Sequence, residues 1–90
     1  MATIRIPAPL RKLTNNQEEV LTAGSSLGAV LDELNRLYPG LGGRILDEQG
    51  EIRRFVNIFV NDEDVRFLQE KETPVKEADV VSIVPAIAGG

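Results

Sequence analysis

One stripe decides most of what this chain can become. Between Ser26 and Pro39, Leu27, Val30, Leu31, Leu34, Leu37 and Tyr38 recur at the helical period, while Asp32, Glu33, Asn35 and Arg36 take the other side. Ala23-Gly24-Ser25-Ser26 breaks the preceding segment and supplies a serine N-cap, either Ser25 or Ser26, and Pro39-Gly40 ends the helix. Asp32 and Arg36 stand at i,i+4 and are expected to pair. A helix with one apolar face needs a partner layer. Ninety residues leave room for a single small core.

The partner layer is legible as short alternating runs. Ala2 to Pro7 reads as a first strand, Ile4 and Ile6 on one face, Thr3 and Arg5 on the other, closed by Pro7 and Pro9. Leu10 to Thr14 is ambiguous, Asn15-Asn16 is a turn, and Glu18 to Thr22 is a second strand with Val20 inward, making a hairpin. Phe55 to Val60 is the strongest strand, with Val56, Ile58 and Val60 on one face and Phe55, Asn57 and Phe59 on the other. Asn61 to Asp64 is a polar turn, and Val65-Arg66-Phe67 begins the return strand. Val80 to Val84 is apolar on both faces, which suits a central position in the sheet.

Two polar stretches invite sharper readings and do not sustain them. Leu41 to Arg54 contains Gly42-Gly43 and Gly50, but no Lys-Ser/Thr follows the glycines and no strand leads in, so a phosphate-cradling loop fails. It is read as a surface excursion with a short turn at Arg44-Ile45-Leu46. The carboxylates of Asp62, Glu63 and Asp64 lack the glycine and the distal glutamate of a calcium loop, which leaves a solvated hairpin turn.

Strand, strand, helix, then three strands is a β-grasp order: an α+β fold with a mixed sheet and one main helix on one face. The inward set is Ile4, Ile6, Val20, Leu27, Val30, Leu31, Leu34, Val56, Ile58, Val60, Val81 and Ile83. The uncovered face then carries Arg5, Asn57, Phe59, Ser82 and Val84, a mixed patch of the kind that docks partners, although a lone surface Phe is also common.

Several function classes are disfavoured. The net charge of −4 and the lack of Trp argue against nucleic acid. No run is long enough to span a bilayer and the first residues do not resemble a signal peptide, so a soluble, cytoplasmic protein is expected. There is no Cys and no His, which removes thiolate nucleophiles, imidazole bases and nearly all transition-metal sites. No catalytic residue and no metal ligand is expected, and the chain is read as no enzyme on its own.

The sequence closes on Pro85-Ala86-Ile87-Ala88-Gly89-Gly90, without a charged side chain or hydroxyl. Residues 1–85 are read as the β-grasp domain and residues 86–90 as a flexible tail. Glycine reaches backbone conformations closed to other residues, which suits a peptide threading a narrow cleft. At about 3.3 Å per residue, Pro85 to Gly90 spans nearly 20 Å.

With that tail, the chain resembles the ubiquitin-like sulfur carriers MoaD, ThiS and CysO. The likeness covers essentially the whole sequence and is clearest from Asp79 to Gly90. Arg54 to Phe67 looks most like the CysO branch, and Val84-Pro85 replaces the Pro-Pro common in MoaD. The resemblance implies that an ATP-dependent adenylating enzyme of the MoeB/ThiF type, related to ubiquitin-activating enzymes, joins AMP to the Gly90 carboxylate. A sulfur donor then displaces AMP and leaves a thiocarboxylate. Gly89, Ala88, Ile87 and Ala86 would thread the partner's active site, with Phe59, Asn57, Arg5 and Val84 as the docking face. No cofactor would be bound, ATP being used by the partner. The receiving enzyme would be a PLP-dependent cysteine synthase, serving cysteine biosynthesis. Alternatively the chain would be the small subunit of molybdopterin synthase, docked on the large subunit, or a protein modifier joined to lysines.

Overall fold

The computed structural model describes residues 1–85. Strands β1 (Ala2–Arg5), β2 (Glu19–Thr22), β3 (Val56–Val60), β4 (Glu63–Asp64) and β5 (Val80–Pro85) form one mixed sheet in the order β2-β1-β5-β3-β4. Helix α1 (Leu27–Leu37) crosses one face, and a single turn, α2 (Gly42–Ile45), follows it. This is the β-grasp arrangement, with β5 central as its two-sided apolar run requires.

Register explains the core. Ile4 stands opposite Val20 on one side and Val81 on the other, and Val81 stands opposite Val60. Four strands thus contribute one buried row beneath Leu27, Val30, Leu31 and Leu34 of α1. Every residue of the expected inward set is buried. Ser26 is the N-cap, its Oγ accepting from Ala29 N at 3.3 Å.

Four expectations are corrected. Asp32 and Arg36 do not pair. Arg36 instead forks onto Glu33, with Nε donating to Oε1 at 2.8 Å and Nη2 to Oε2 at 2.6 Å, a two-point fit that a planar guanidinium favours. Leu37 is 41% exposed. At 100° per residue it lies about 80° from Leu27, at the margin of the stripe, and Tyr38 packs against the core instead.

The Leu41 to Arg54 connection is more than a surface excursion. Leu41 and Ile45 are fully buried, because α2 turns them into the core. Asn35 Oδ1 accepts from Gly42 N at 3.0 Å and ties the start of that turn to α1. A Cβ at Gly42 would fall 2.5 Å from Asn35 Oδ1, so a larger residue there would have to displace the Asn35 side chain and break this bond.

Finally, Val65–Phe67 is a 3₁₀ turn, and the return strand is Glu63–Asp64 alone. Asn61 and Asp62, both at positive φ, make the two-residue hairpin turn. Asp64 Oδ1 then accepts from Arg66 N at 2.9 Å, which caps the new turn and rolls Val65 into the core. The ambiguous Leu10 to Thr14 stretch belongs to another 3₁₀ segment, Ala8–Thr14, closed by Asn15 and Asn16 at positive φ.

Candidate functional site

The uncovered sheet face and the exit of β5 meet at one end of the molecule. β5 is paired with β1 over Val80–Ser82 and with β3 over Val81–Pro85. Arg5 stands opposite Ser82 on the β1 side, and the β3 register runs from Val60–Val81 to Val56–Pro85. Past Ser82 only the β3 side is paired, and the described strand ends at Pro85 opposite Val56. Ala86, Ile87, Ala88, Gly89 and Gly90, which carry the expected carboxylate chemistry, lie outside the described residues.

The start of β5 is fixed by a side-chain clamp. Asn61 donates Nδ2–H to Asp79 Oδ1 at 2.7 Å and accepts from Val80 N through Oδ1 at 2.9 Å. Asn61 N donates in turn to Val80 O at 2.9 Å. The other oxygen of Asp79 accepts from Lys76 N at 2.8 Å. That backbone amide, with the Asn61 amide second, holds the Asp79 carboxyl below the usual carboxylate range.

Across the open face one register row reads Glu19, Arg5, Ser82, Phe59, Asp64. The next pairs Asn57 with Val84. The structure therefore brings Arg5, Asn57, Phe59 and Val84 onto one face, as their alternation implied. Their exposure differs. Val84 is 46% exposed, Arg5 is exposed, and Phe59 and Asn57 are half-buried. Arg5 Nε lies 4.0 Å from Glu19 Oε2, a solvated contact that leaves the guanidinium accessible.

Arg66 and Arg11 complete this end, and neither stood out in the sequence. Arg66 Nη1 donates to Asn57 Oδ1, and Nη2 donates to the carbonyls of Arg53, Arg54 and Val56 at 3.1, 3.3 and 2.8 Å. One guanidinium thus gathers the approach to β3, the strand against which Pro85 pairs. A signal existed: extending the hairpin register from Phe59–Asp64 sets Arg66 opposite Asn57. Arg11 donates Nε–H to Ile6 O at 3.0 Å and lies 3.7 Å from Glu18 Oε1. Arg5, Arg11, Pro7, Val84 and Pro85 line a groove of about 320 Å³ beside the exit.

This arrangement presents a strand end, a half-apolar face and three arginines, Arg5, Arg11 and Arg66. Among the described residues no three His, Cys, Asp or Glu side chains converge as a metal site would need. No helix among them is long and apolar enough to cross a membrane.

Comparison with known proteins adds the following. The model of the ThiS family matches residues 4–90. The sulfur carrier protein CysO of Mycobacterium tuberculosis (strain H37Rv) is 46% identical over 90 residues, covering 98% of this chain and 97% of that one. A chain in the crystal structure of the Amycolatopsis orientalis BexX/CysO complex superposes with a TM-score of 0.94 at 37% identity, each chain covered in full. Small archaeal modifier protein 3 of Haloferax volcanii is 38% identical over 66 residues, 73% of this chain and 71% of that one.

Proposed function

The chain belongs to the ThiS family, and from that premise we propose that it is a sulfur carrier whose working group is the Gly90 carboxylate. The observation that carries the reading is the 46% identity to a CysO sulfur carrier along nearly the whole of both chains. In this proposal a partner of the MoeB/ThiF type uses ATP to form the Gly90 acyl-adenylate, releasing pyrophosphate. A sulfur donor then attacks the acyl carbon. The C–S bond forms, the C–O bond to AMP breaks, and a thiocarboxylate remains.

The division of labour follows from what the chain lacks. Without Cys or His it offers no side-chain nucleophile suited to carrying sulfur and no imidazole base. Catalytic groups and ATP therefore belong to the activating partner, which makes this chain substrate and carrier rather than enzyme. Residues 1–85 act as the body and residues 86–90 as the reach. The open face around Phe59, Arg5, Asn57 and Val84 docks the activating enzyme beside the Pro85 exit. The likeness to CysO favours cysteine biosynthesis, with a cysteine synthase as acceptor, over molybdopterin synthesis.

The test is direct. The purified full-length chain is incubated with ATP, magnesium, sulfide and an adenylating enzyme from its own genome, and its intact mass is recorded. A shift equal to one oxygen replaced by sulfur, absent without ATP, is expected. An unchanged mass with every adenylating enzyme of that genome would overturn the proposal.

A second reading has its own support in the likeness to an archaeal modifier protein. There the same adenylate passes Gly90 to a lysine of another protein. Gly-Gly remnants branched from target lysines, found by mass spectrometry in cells expressing the chain, would favour it.

A further inference from the structure

The two edges of the sheet are built differently. In the order β2-β1-β5-β3-β4, one edge is β4 and the other is β2. A sheet edge leaves main-chain N–H and C=O groups without partners, which invites a further strand. The β4 edge is blunted: Glu63–Asp64 is two residues long, both are carboxylates, and the chain passes at once into a 3₁₀ turn. The β2 edge lacks those devices. From Val20 to Ala23 it carries no charge and no proline, and its register with β1 runs without a bulge.

Register shows which groups are free. Ile6 N donates to Glu18 O at 2.8 Å, so the even-numbered residues of β2 turn their amides and carbonyls toward β1. Glu19 and Leu21 therefore turn theirs outward, and Ala23 continues the alternation. None of these groups is bonded elsewhere among the described residues. Val20 and Thr22 are buried, which sets the Leu21 side chain on the open face, where it is 60% exposed. Met1, opposite Ala23 when the register is extended, is 62% exposed. An unprotected edge with a bare leucine at its middle is a surface made for pairing.

Free amides and carbonyls in alternation call for an extended strand, and the sequence of this edge selects one. Set antiparallel to itself about Leu21, the segment places apolar against apolar and Glu19 against Ala23, so no like charges oppose each other. Centring the pair on Glu19 would bring two carboxylates face to face. We propose that β2 is the interface of a twofold homodimer, in which Leu21 exchanges both main-chain bonds with Leu21 of a second copy.

The rest of the molecule accommodates this. Two sheets joined edge to edge keep both α1 helices on one side. Antiparallel β2 strands also send the two β5 strands, and with them the two Pro85 ends, in opposite directions. Phe59 and Asn57 stand on β3, separated from β2 by β1 and β5, so the open face near Pro85 is left uncovered. The inference does not rest on Gly90 being activated.

The test uses the isotopically labelled full-length chain, followed by sedimentation and NMR on dilution from roughly 1 mM to about 20 µM. A monomer–dimer equilibrium is expected. The amides of Glu19, Leu21 and Ala23 should shift and gain exchange protection with concentration, while those of Val20 and Thr22, already turned to β1, stay put. Leu21→Lys and Leu21→Glu should each weaken the dimer roughly tenfold. An equimolar mixture of the two should associate more tightly than either alone, because the twofold sets one position 21 against the other. That side chain is exposed, so both variants leave the core intact. Phe67→Ser, which alters an exposed ring next to the opposite edge, should change nothing. A monomer at every concentration would overturn the inference and leave the edge to an extended segment of another protein. A dimer whose shifts gather at Phe67 or Val84, or one indifferent to charge at position 21, would overturn it too.

Discussion

Asn61 and Asp79 are joined by a 2.7 Å hydrogen bond that spans from the hairpin turn after β3 to the residue before β5. The contact draws the first residue of the central strand into register, because Asn61 also accepts from Val80 N. The clamp is therefore tied to the placement of the whole strand that leads to the exit.

The first prediction concerns acid. Asp79 has a folded pKa below its ordinary value, so its contribution is fully present above the unfolded carboxylate pKa of about 3.9 and is lost as pH falls through the lower folded value. The stability difference between wild type and Asp79→Asn, measured by urea unfolding, should be constant from pH 5 to pH 7 (an interval set by that roughly 3.9 reference) and shrink below it. A difference independent of pH would show that the carboxylate charge is irrelevant to the clamp.

The partner of that carboxylate gives a paired test. Asn61 has φ +51°, so Asn61→Ala loses both the side-chain bonds and the tolerance for that conformation. Asn61→Gly loses only the bonds. Denaturation should rank the variants wild type, Gly, Ala, with Ala costing about 2 kcal/mol.

Arg66 should be irreplaceable by lysine. Its fork reaches three carbonyls and Asn57 at once, a geometry that a single ammonium cannot copy. Arg66→Ala and Arg66→Lys should both lower stability, by about 1–2 kcal/mol. Amide exchange should quicken first at Val56 and Asn57.

Ile45 tests whether the long connection is structural. It is 1% exposed, and truncation to Ala should cost about 2–5 kcal/mol in chemical denaturation. A loss below about 1 kcal/mol would return the segment to the status of a solvated loop.

Gly90→Ala and Gly89→Ala should cripple adenylation, followed as pyrophosphate release, while Tm stays at the wild-type value. Val84→Glu on the open face should lower kcat/KM for activation roughly tenfold through KM, with residues 1–85 still folded. Wild-type activation of the glycine variants would remove the basis for the carrier mechanism.

Most strands, the helix and the part of the core that they supply were legible because they rest on period. Alternation at Ile4, Ile6, Val56, Ile58 and Val60 and the 3.6-residue stripe from Leu27 to Leu34 each name a face without outside help. What escaped was set by single side chains meeting across the fold. Arg36 chose Glu33 over Asp32 by local geometry, and Asp64 turned Val65 inward by capping a 3₁₀ turn. Leu41 and Ile45 were invisible as core because a four-residue helix is too short to show a period. The open face was legible for the same reason as the core, but the grip of Arg66 on it needed the hairpin register, which depends on where the turn falls.

The placement of β5 also has a mechanical consequence. A pull applied at Pro85 along the strand axis loads the β3 ladder over Val81–Pro85 and, behind it, the β1 ladder over Val80–Ser82, both in shear, so several hydrogen bonds share the force before any one gives way. An edge strand tugged sideways would peel bond by bond. The two ladders of β5 thus resist tension along the strand axis better than a single edge ladder would.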